Sequence, residues 1–188
     1  MIKRIISVCI ALCIVLCFSA CTTGKKETDT SFDFVNDFAN VQGYKNWYYF
    51  YGDTEEPKYM IFDVDYNMWR GRDFYSRVQI NEQHPGNNTE TIIAFKAPKD
   101  GKLKVDGSIV RCPAVWDGDG VFFYISYFYK VIAEEYMFSA NIDTMDKTPT
   151  EYSFELEVKK DAFLYFTINA NSSNTYDAVT NQILIKYI

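Results

Sequence analysis

The chain has 188 residues, carries 25 acidic against 19 basic side chains, and has a formal net charge of -6 at pH 7. An acidic surface repels phosphate backbones and anionic headgroups, so the composition argues against nucleic acid and anionic membrane surfaces as partners. The length suits a single folded domain, and His84 is the only histidine.

The N-terminal segment is typical of a secretory signal peptide. Lys3 and Arg4 precede an apolar run at residues 5–18, and small residues follow at positions 19 and 20. A run of this length is shorter than the roughly 20 residues of a membrane-spanning helix. We therefore expect residues 1–20 to be removed.

Cys21 follows these small residues directly, and the segment Phe18-Ser19-Ala20-Cys21 resembles the end of a bacterial lipoprotein signal peptide. The resemblance implies that Cys21 is acylated and becomes the mature N-terminus. The alternative is an ordinary signal peptide followed by a coincidental cysteine. The polar residues 22–31 favour the lipoprotein, because such a segment spaces a domain from a membrane and does not fold. The prediction is an extracytoplasmic protein, anchored to the bacterial cell membrane by its lipid.

The predicted domain organisation is a signal peptide at 1–20, a lipidated N-terminus and flexible tether at 21–34, and a folded domain at 35–188. In that domain, segments rich in Tyr, Phe, Val and Ile recur between turn signals, without a helical period. The predicted strands are Trp47 to Tyr51, Tyr59 to Asp63, Thr91 to Lys96, Lys102 to Asp106, Val121 to Val131, Tyr136 to Ala140, Tyr152 to Val158, Phe163 to Ile168 and Gln182 to Tyr187. This spacing predicts an all-β fold, a two-sheet β-sandwich.

Two segments carry more detailed expectations. Residues 92–106 have the pattern of a hairpin, in which Pro98 and Gly101 supply turn conformations between the two strands. The strand at 121–131 has aromatic residues on both faces. It is either a central strand covered on both sides, or a strand whose outer face is an aromatic platform.

Several motifs together resemble a known module. They are Gln42 to Tyr51, Trp69, His84-Pro85-Gly86, Phe95 to Gly101, Asp117 to Val121, and Tyr176-Asp177. In this order they are similar to the jelly-roll carbohydrate-binding modules of secreted bacterial glycoside hydrolases and polysaccharide lyases. The resemblance runs from about Phe38 onward and implies a jelly roll that binds glycans without catalysis. The chain departs from the module at Phe95, where Trp is usual, and at Lys159-Lys160-Asp161, where a Gly-Asp turn is usual.

Catalytic and metal-binding motifs are sparse. No nucleophile motif accompanies His84, which is expected to fix a turn by hydrogen bonding. No motif singles out a pair of acidic residues either. We therefore predict a protein that is not an enzyme. Asp117 and Asp119, together with Asp177, have the chemistry of a structural calcium site, and the alternative is an ordinary Asp-Gly turn. No other cofactor is expected.

The aromatic residues make up 18% of the chain, an excess that suits a glycan site. Sugar rings present apolar faces to aromatic planes and hydroxyl groups to polar side chains. The predicted carbohydrate-binding residues are Trp69, Arg72, Trp116 and Tyr124, and the alternative for each aromatic ring is a place in the core. Trp47 is expected to be core. The predicted function is glycan or polysaccharide binding, and the alternative is a surface module that contacts a protein partner.

Overall fold

A computed structural model describes residues 29–113, 117–130, 135–143, 145 and 147–188. The predicted signal peptide, Cys21 and Trp116 lie outside these residues. The described part contains a short 3-10 helix (Tyr44–Asn46), and none of its helices is long and apolar enough to cross a membrane. Its strands are β1 (Ser31–Asp33), β2 (Trp47–Tyr51), β3 (Lys58–Tyr59), β4 (Ile61–Asp63), β5 (Met68–Arg70), β6 (Arg77–Gln79), β7 (Glu82–His84), β8 (Thr91–Lys96), β9 (Gly101–Arg111), β10 (Val121–Phe128), β11 (Glu135–Ile142), β12 (Thr150–Val158), β13 (Phe163–Ala170) and β14 (Val179–Tyr187).

The strands form two antiparallel sheets that pack as a sandwich. The eight-stranded sheet has the order β12-β9-β14-β7-β6-β5-β4, with β1 paired to β14. The six-stranded sheet has the order β11-β10-β13-β8-β2-β3. From β8 onward the chain passes repeatedly from one sheet to the other. The predicted all-β, two-sheet sandwich is confirmed.

The core lies between the sheets and is built by the alternation of side chains along each strand. From the six-stranded sheet, Trp47, Phe95 and Phe166 are fully buried, and from the eight-stranded sheet Leu103 and Val105 meet them. The prediction that Trp47 is a core residue is confirmed. Phe95 lies 5.4 Å from the Trp47 ring centroid, so the phenylalanine keeps an aromatic contact at this position.

The folded part begins earlier than predicted. β1 pairs with β14, and both Phe32 and Phe34 are only 1% exposed. The Phe32 ring lies 4.7 Å from the Phe95 ring. Residues 31–34 are therefore part of the sandwich and not of the tether. Burial of the Phe32 and Phe34 side chains stabilises this pairing.

The predicted hairpin at 92–106 is wrong. β8 pairs with β13 and β2 in the six-stranded sheet, whereas β9 pairs with β12 and β14 in the other sheet. The turn between them carries the chain across the core. β8 is central in its sheet and is buried on both faces, as Ile92, Ile93 and Ala94 show, so its unbroken apolar run was the signal of a central strand.

The aromatic strand predicted from Val121 is β10, which ends at Phe128; Val131 lies outside the described residues. β10 runs between β11 and β13, so it is not an edge strand. Phe123 and Ile125 point into the core, while Tyr124 and Ser126 on the opposite face are also buried. The strand is therefore central and is buried on both faces at its middle, while Phe122 and Phe128 on the outer face are partly exposed.

The segment between Tyr59 and His84 contained strands that the pattern did not predict. The predicted strand at 59–63 is divided at Met60, so that β3 and β4 belong to different sheets. β5, β6 and β7 have three residues each, too few for the alternation of side chains to be recognised in the sequence.

Candidate functional site

An open cleft of about 400 Å³ lies at one end of the outer face of the six-stranded sheet. Its size falls within the range of about 300–1,000 Å³ that is usual for small-molecule sites. The β2–β3 loop and the β7–β8 loop form two walls, and three strands supply the floor. The lining residues are Gly52, Asp53 and Thr54, then Asn88, Thr89 and Glu90, and from the strands Tyr124, Tyr136 and Asn169.

The Glu90 carboxylate is the centre of a hydrogen-bond network in this cleft. The Tyr124 hydroxyl donates to Glu90 Oε2 at 2.8 Å, and Asn169 Nδ2 donates to Glu90 Oε1 at 2.8 Å. Charge-assisted hydrogen bonds of this kind hold both partners in one orientation. The cleft therefore has a fixed set of acceptors and donors at its floor.

Tyr136 adds an aromatic surface beside that network. Its side chain is 55% exposed, and its ring centroid lies 5.0 Å from that of Tyr124 at an interplanar angle of 65°. Tyr124 itself is buried. A flat apolar ring next to fixed polar groups is the arrangement that a sugar ring, with its apolar face and its hydroxyl groups, requires.

A tight turn positions the Asn88 and Glu90 side of the cleft. Gly86 N donates to Thr89 O at 2.9 Å, and Asn88 adopts a φ of 55°, which asparagine tolerates better than most residues. A Cβ on Gly86 would lie 2.1 Å from Thr89 Oγ1, so the position requires glycine. Gly52 N donates to Glu90 O at 3.0 Å and ties the two loops together.

His84 ends the strand that leads into this turn. It is buried, and its Nδ1 lies 2.7 Å from Pro85 O. Burial lowers the pKa of the imidazole below its ordinary value. The predicted role of His84, fixing a turn by hydrogen bonding, is consistent with this geometry.

Of the predicted carbohydrate-binding residues, Tyr124 lines the cleft and Trp69 does not. Trp69 is 3% exposed, stacks on Tyr49 at 4.7 Å, and donates from Nε1 to Ala39 O at 2.9 Å. Its ring faces are covered by the core, so the prediction that it contacts a glycan is wrong. Arg72 is exposed in the loop after β5 and is not among the residues that line the cleft.

The predicted metal ligands Asp117, Asp119 and Asp177 lie at a loop junction that also contains the side chain of Arg111. Arg111 is 3% exposed, and its Nη2 donates to the carbonyl oxygens of Asp117 and Tyr176. Among the described residues, no group of three or more His, Cys, Asp or Glu side chains could hold a metal ion. The three aspartates therefore do not form a metal-binding group in the described part of the chain.

The two other aspartates have distinct roles at this junction. Asp119 Oδ2 accepts a hydrogen bond from Ser172 N at 2.7 Å, so it fixes the β13–β14 loop. Asp177 is 2% exposed, and neither of its carboxylate oxygens has a hydrogen-bond partner among the described residues. Burial, with a smaller contribution from the charge of Asp119, raises the pKa of Asp177 to about 7.

Sequence reasoning missed Glu90, Asn169 and Tyr136. The run Gly86-Asn87-Asn88 marked a turn, and residues 169–174 contain three asparagines and two serines, so polar loops were visible. The sequence did not show that these loops line one cleft. They are separated by about 80 positions in the chain and come together only because β13 pairs with β8.

A separate group of exposed rings lies at the far edge of the eight-stranded sheet. Tyr66, Phe74 and Tyr75 are 58%, 46% and 56% exposed. The Tyr66 and Phe74 ring centroids are 5.4 Å apart. Exposed aromatic groups of this kind are enriched at protein interfaces.

No protein-family model matches the chain, and no curated protein matches it. Solved structures do resemble it. A family 29 carbohydrate-binding module complexed with cellulohexaose is 10% identical, with 84% of this chain and 89% of the module covered and a TM-score of 0.36. The C-terminal CBM6 of a marine laminarinase from Zobellia galactanivorans is 11% identical, with 56% and 88% covered and a TM-score of 0.30.

The enzymatically active domain of a bacteriophage CBA120 tailspike protein is also similar, at 12% identity and a TM-score of 0.39. The match covers 82% of this chain and 22% of the tailspike, so the chain spans about a fifth of the length of that protein. At these identities the likeness concerns the fold alone. The chain is distantly similar in fold to β-sandwich carbohydrate-binding modules.

Proposed function

We propose that this protein binds a glycan in the cleft floored by Tyr124, Glu90 and Asn169. The observation that carries the proposal is the exposed Tyr136 ring beside a carboxylate and an amide held at fixed positions. The ring offers a stacking surface for the apolar face of a sugar. Glu90, Asn169 and the neighbouring Asn88 offer acceptors and donors for its hydroxyl groups.

We propose binding without cleavage. Both oxygens of Glu90 already accept hydrogen bonds, which suits a carboxylate that receives further bonds from sugar hydroxyls. His84 is buried in its turn and bonded to its neighbour, where it holds the β7–β8 loop in place. These groups build a rigid surface, which favours selective binding because little order is lost when a ligand binds.

The test is retention of the full-length chain on polysaccharides, with a matched pair of tyrosine variants. The protein is purified in a polyoxyethylene detergent, which carries no sugar, and run by affinity electrophoresis on plant, algal and bacterial polysaccharides. Tyr136→Ala should weaken binding about tenfold, since one exposed aromatic contact contributes about 1.4 kcal/mol at such a site. Tyr66→Ala, which removes an equally exposed ring elsewhere, should bind like the wild type.

Two results would contradict the proposal. If Tyr136→Ala and Tyr66→Ala bound equally well, the glycan would lie elsewhere on the protein. If no polysaccharide in the panel retained the wild type, the protein would not be a glycan-binding module. The exposed rings of Tyr66, Phe74 and Tyr75 would then be the surface on which a protein partner should be sought.

We also propose that the protein is held at the outer side of the bacterial membrane by a lipid on Cys21. The proposal rests on the signal-like residues 1–20 and the polar segment that follows. In a bacterial host given labelled palmitate, Cys21→Ser should abolish both labelling and sedimentation with membranes. Cys112→Ser, which removes the free cysteine of the folded part, should leave both unchanged. Labelled, membrane-bound Cys21→Ser protein would disprove this anchor.

A further inference from the structure

A second cleft, of about 250 Å³, adjoins the first. The two clefts share Asn88, Glu90 and Asn169 as lining residues, so the hydrogen-bonded pair of Glu90 and Asn169 forms the boundary between them. A ligand that contacts this pair from the first cleft can extend past it into the second without leaving the surface.

The chemistry of the second cleft differs from that of the first. Its further lining consists almost entirely of amide and hydroxyl groups, including Asn87, Asn171, Ser172 and Asn174. Each of these side chains can donate and accept hydrogen bonds, as sugar hydroxyls do. The first cleft contributes an aromatic ring, and the second contributes a surface made for hydroxyl groups.

The wall of the second cleft is held in place by the loop junction around Arg111. Asn171 Nδ2 donates to Asp119 O at 2.9 Å, and Ser172 N donates to Asp119 Oδ2 at 2.7 Å. Arg111 binds Tyr176 O at 2.9 Å on the same loop. The wall is therefore preorganised, and a ligand does not have to order it on binding.

The acidic residues that line the two clefts restrict the charge of the ligand. Asp53 and Glu90 are carboxylates in the lining, and no lysine or arginine is among the residues that line either cleft in the described part of the chain. An anionic glycan would meet like charges there, which disfavours its binding.

We propose that the ligand is a neutral oligosaccharide of at least two sugar units, one against Tyr136 and the next among the amides of the second cleft. This inference rests on the proposed function, since it assigns a length and a charge to the glycan bound at the same site. Asn87 is the residue that tests it best. Its side chain is exposed and makes no hydrogen bond with the described residues, so its removal should not disturb the fold.

The test is calorimetric titration of the full-length chain, in the same detergent, with neutral mono-, di- and trisaccharides of glucose, mannose and xylose, and with digalacturonate. For the sugar that binds, the disaccharide should bind at least tenfold more tightly than the monosaccharide. Asn87→Ala should remove most of this difference and leave monosaccharide affinity unchanged, whereas Tyr136→Ala should weaken all lengths. Asn81→Ala, an exposed asparagine outside both clefts, should match the wild type.

The outcomes separate this inference from the proposed function. Equal affinity for monosaccharide and disaccharide, or an Asn87→Ala variant that keeps the full difference, would overturn the second sugar position while leaving glycan binding intact. Tighter binding of digalacturonate than of every neutral sugar would overturn the neutral charge. If none of these sugars bound and no polysaccharide retained the chain, the proposed function itself would fail, and this inference with it.

Discussion

Replacing Trp69 with alanine should lower the free energy of unfolding by about 3–5 kcal/mol, which is the usual cost of removing a large aromatic side chain from a core. Trp69 packs on Tyr49 at 4.7 Å and on Phe62 at 5.2 Å, and almost none of it reaches solvent. Alanine would leave a cavity between these rings. It would also remove the indole donor to Ala39 O, leaving that carbonyl without its partner.

The measurement is urea unfolding followed by far-ultraviolet circular dichroism, which does not depend on tryptophan emission. Trp69→Phe is the graded control, because it keeps part of the packing while losing the hydrogen bond to Ala39 O, and it should fall between alanine and the wild type. The folded fraction of both variants should still bind polysaccharide. Wild-type stability together with lost binding in Trp69→Ala would instead place Trp69 at a glycan contact.

Raising the pH from 5 to 8 should destabilise the wild-type protein relative to Asp177→Asn. The pKa of Asp177 is raised from 3.8 to about 7 in the folded state, chiefly by burial. Between these values the unfolded chain has released its proton and the folded chain still holds it. Stability therefore falls as the pH rises, by up to about 1.4 kcal/mol per pH unit, and the loss is complete once the pH exceeds the folded pKa.

Asparagine has the shape of aspartate without its charge, so Asp177→Asn should not show this loss. The measurement is the midpoint of urea unfolding for both proteins at half-unit pH intervals. His84 also has a shifted pKa but is present in both proteins, so the difference between them isolates Asp177. Asp117→Asn, an exposed change in the same junction, should follow the wild type. Parallel pH profiles for the wild type and Asp177→Asn would show that Asp177 does not titrate in this range.

The same junction shows why residue types alone did not reveal the arrangement of the predicted metal ligands. Asp117, Asp119 and Asp177 have the residue types that calcium binding requires, and the spacing of the first two is compatible with a loop around an ion. Arg111 lies at the end of β9, and the sequence gives no sign that it enters this loop. Only the pairing of β9 with β14 brings its guanidinium to Tyr176 O, next to Asp177 in the chain.

The sequence also did not determine which aromatic residues are buried, because this too depends on strand pairing. Trp69 and Tyr124 both lie in strands, and in the sequence either ring suited the core or a ligand. Trp69 became buried because its short strand, β5, is paired on both sides in the eight-stranded sheet and faces Tyr49 across the core. Tyr124 lies on the outer face of its sheet, where its hydroxyl reaches Glu90.

By itself, the sequence determined the fold class, because alternation of apolar and polar side chains and the chemistry of turns are local properties. It also determined the signal-like N-terminus and the excess of acidic over basic residues. Only the tertiary structure decided which sheet each strand joins, which rings are buried, and that Glu90 meets Asn169. Those properties depend on pairing between residues far apart in the chain, and strand pairing leaves no unique pattern in the residues that take part.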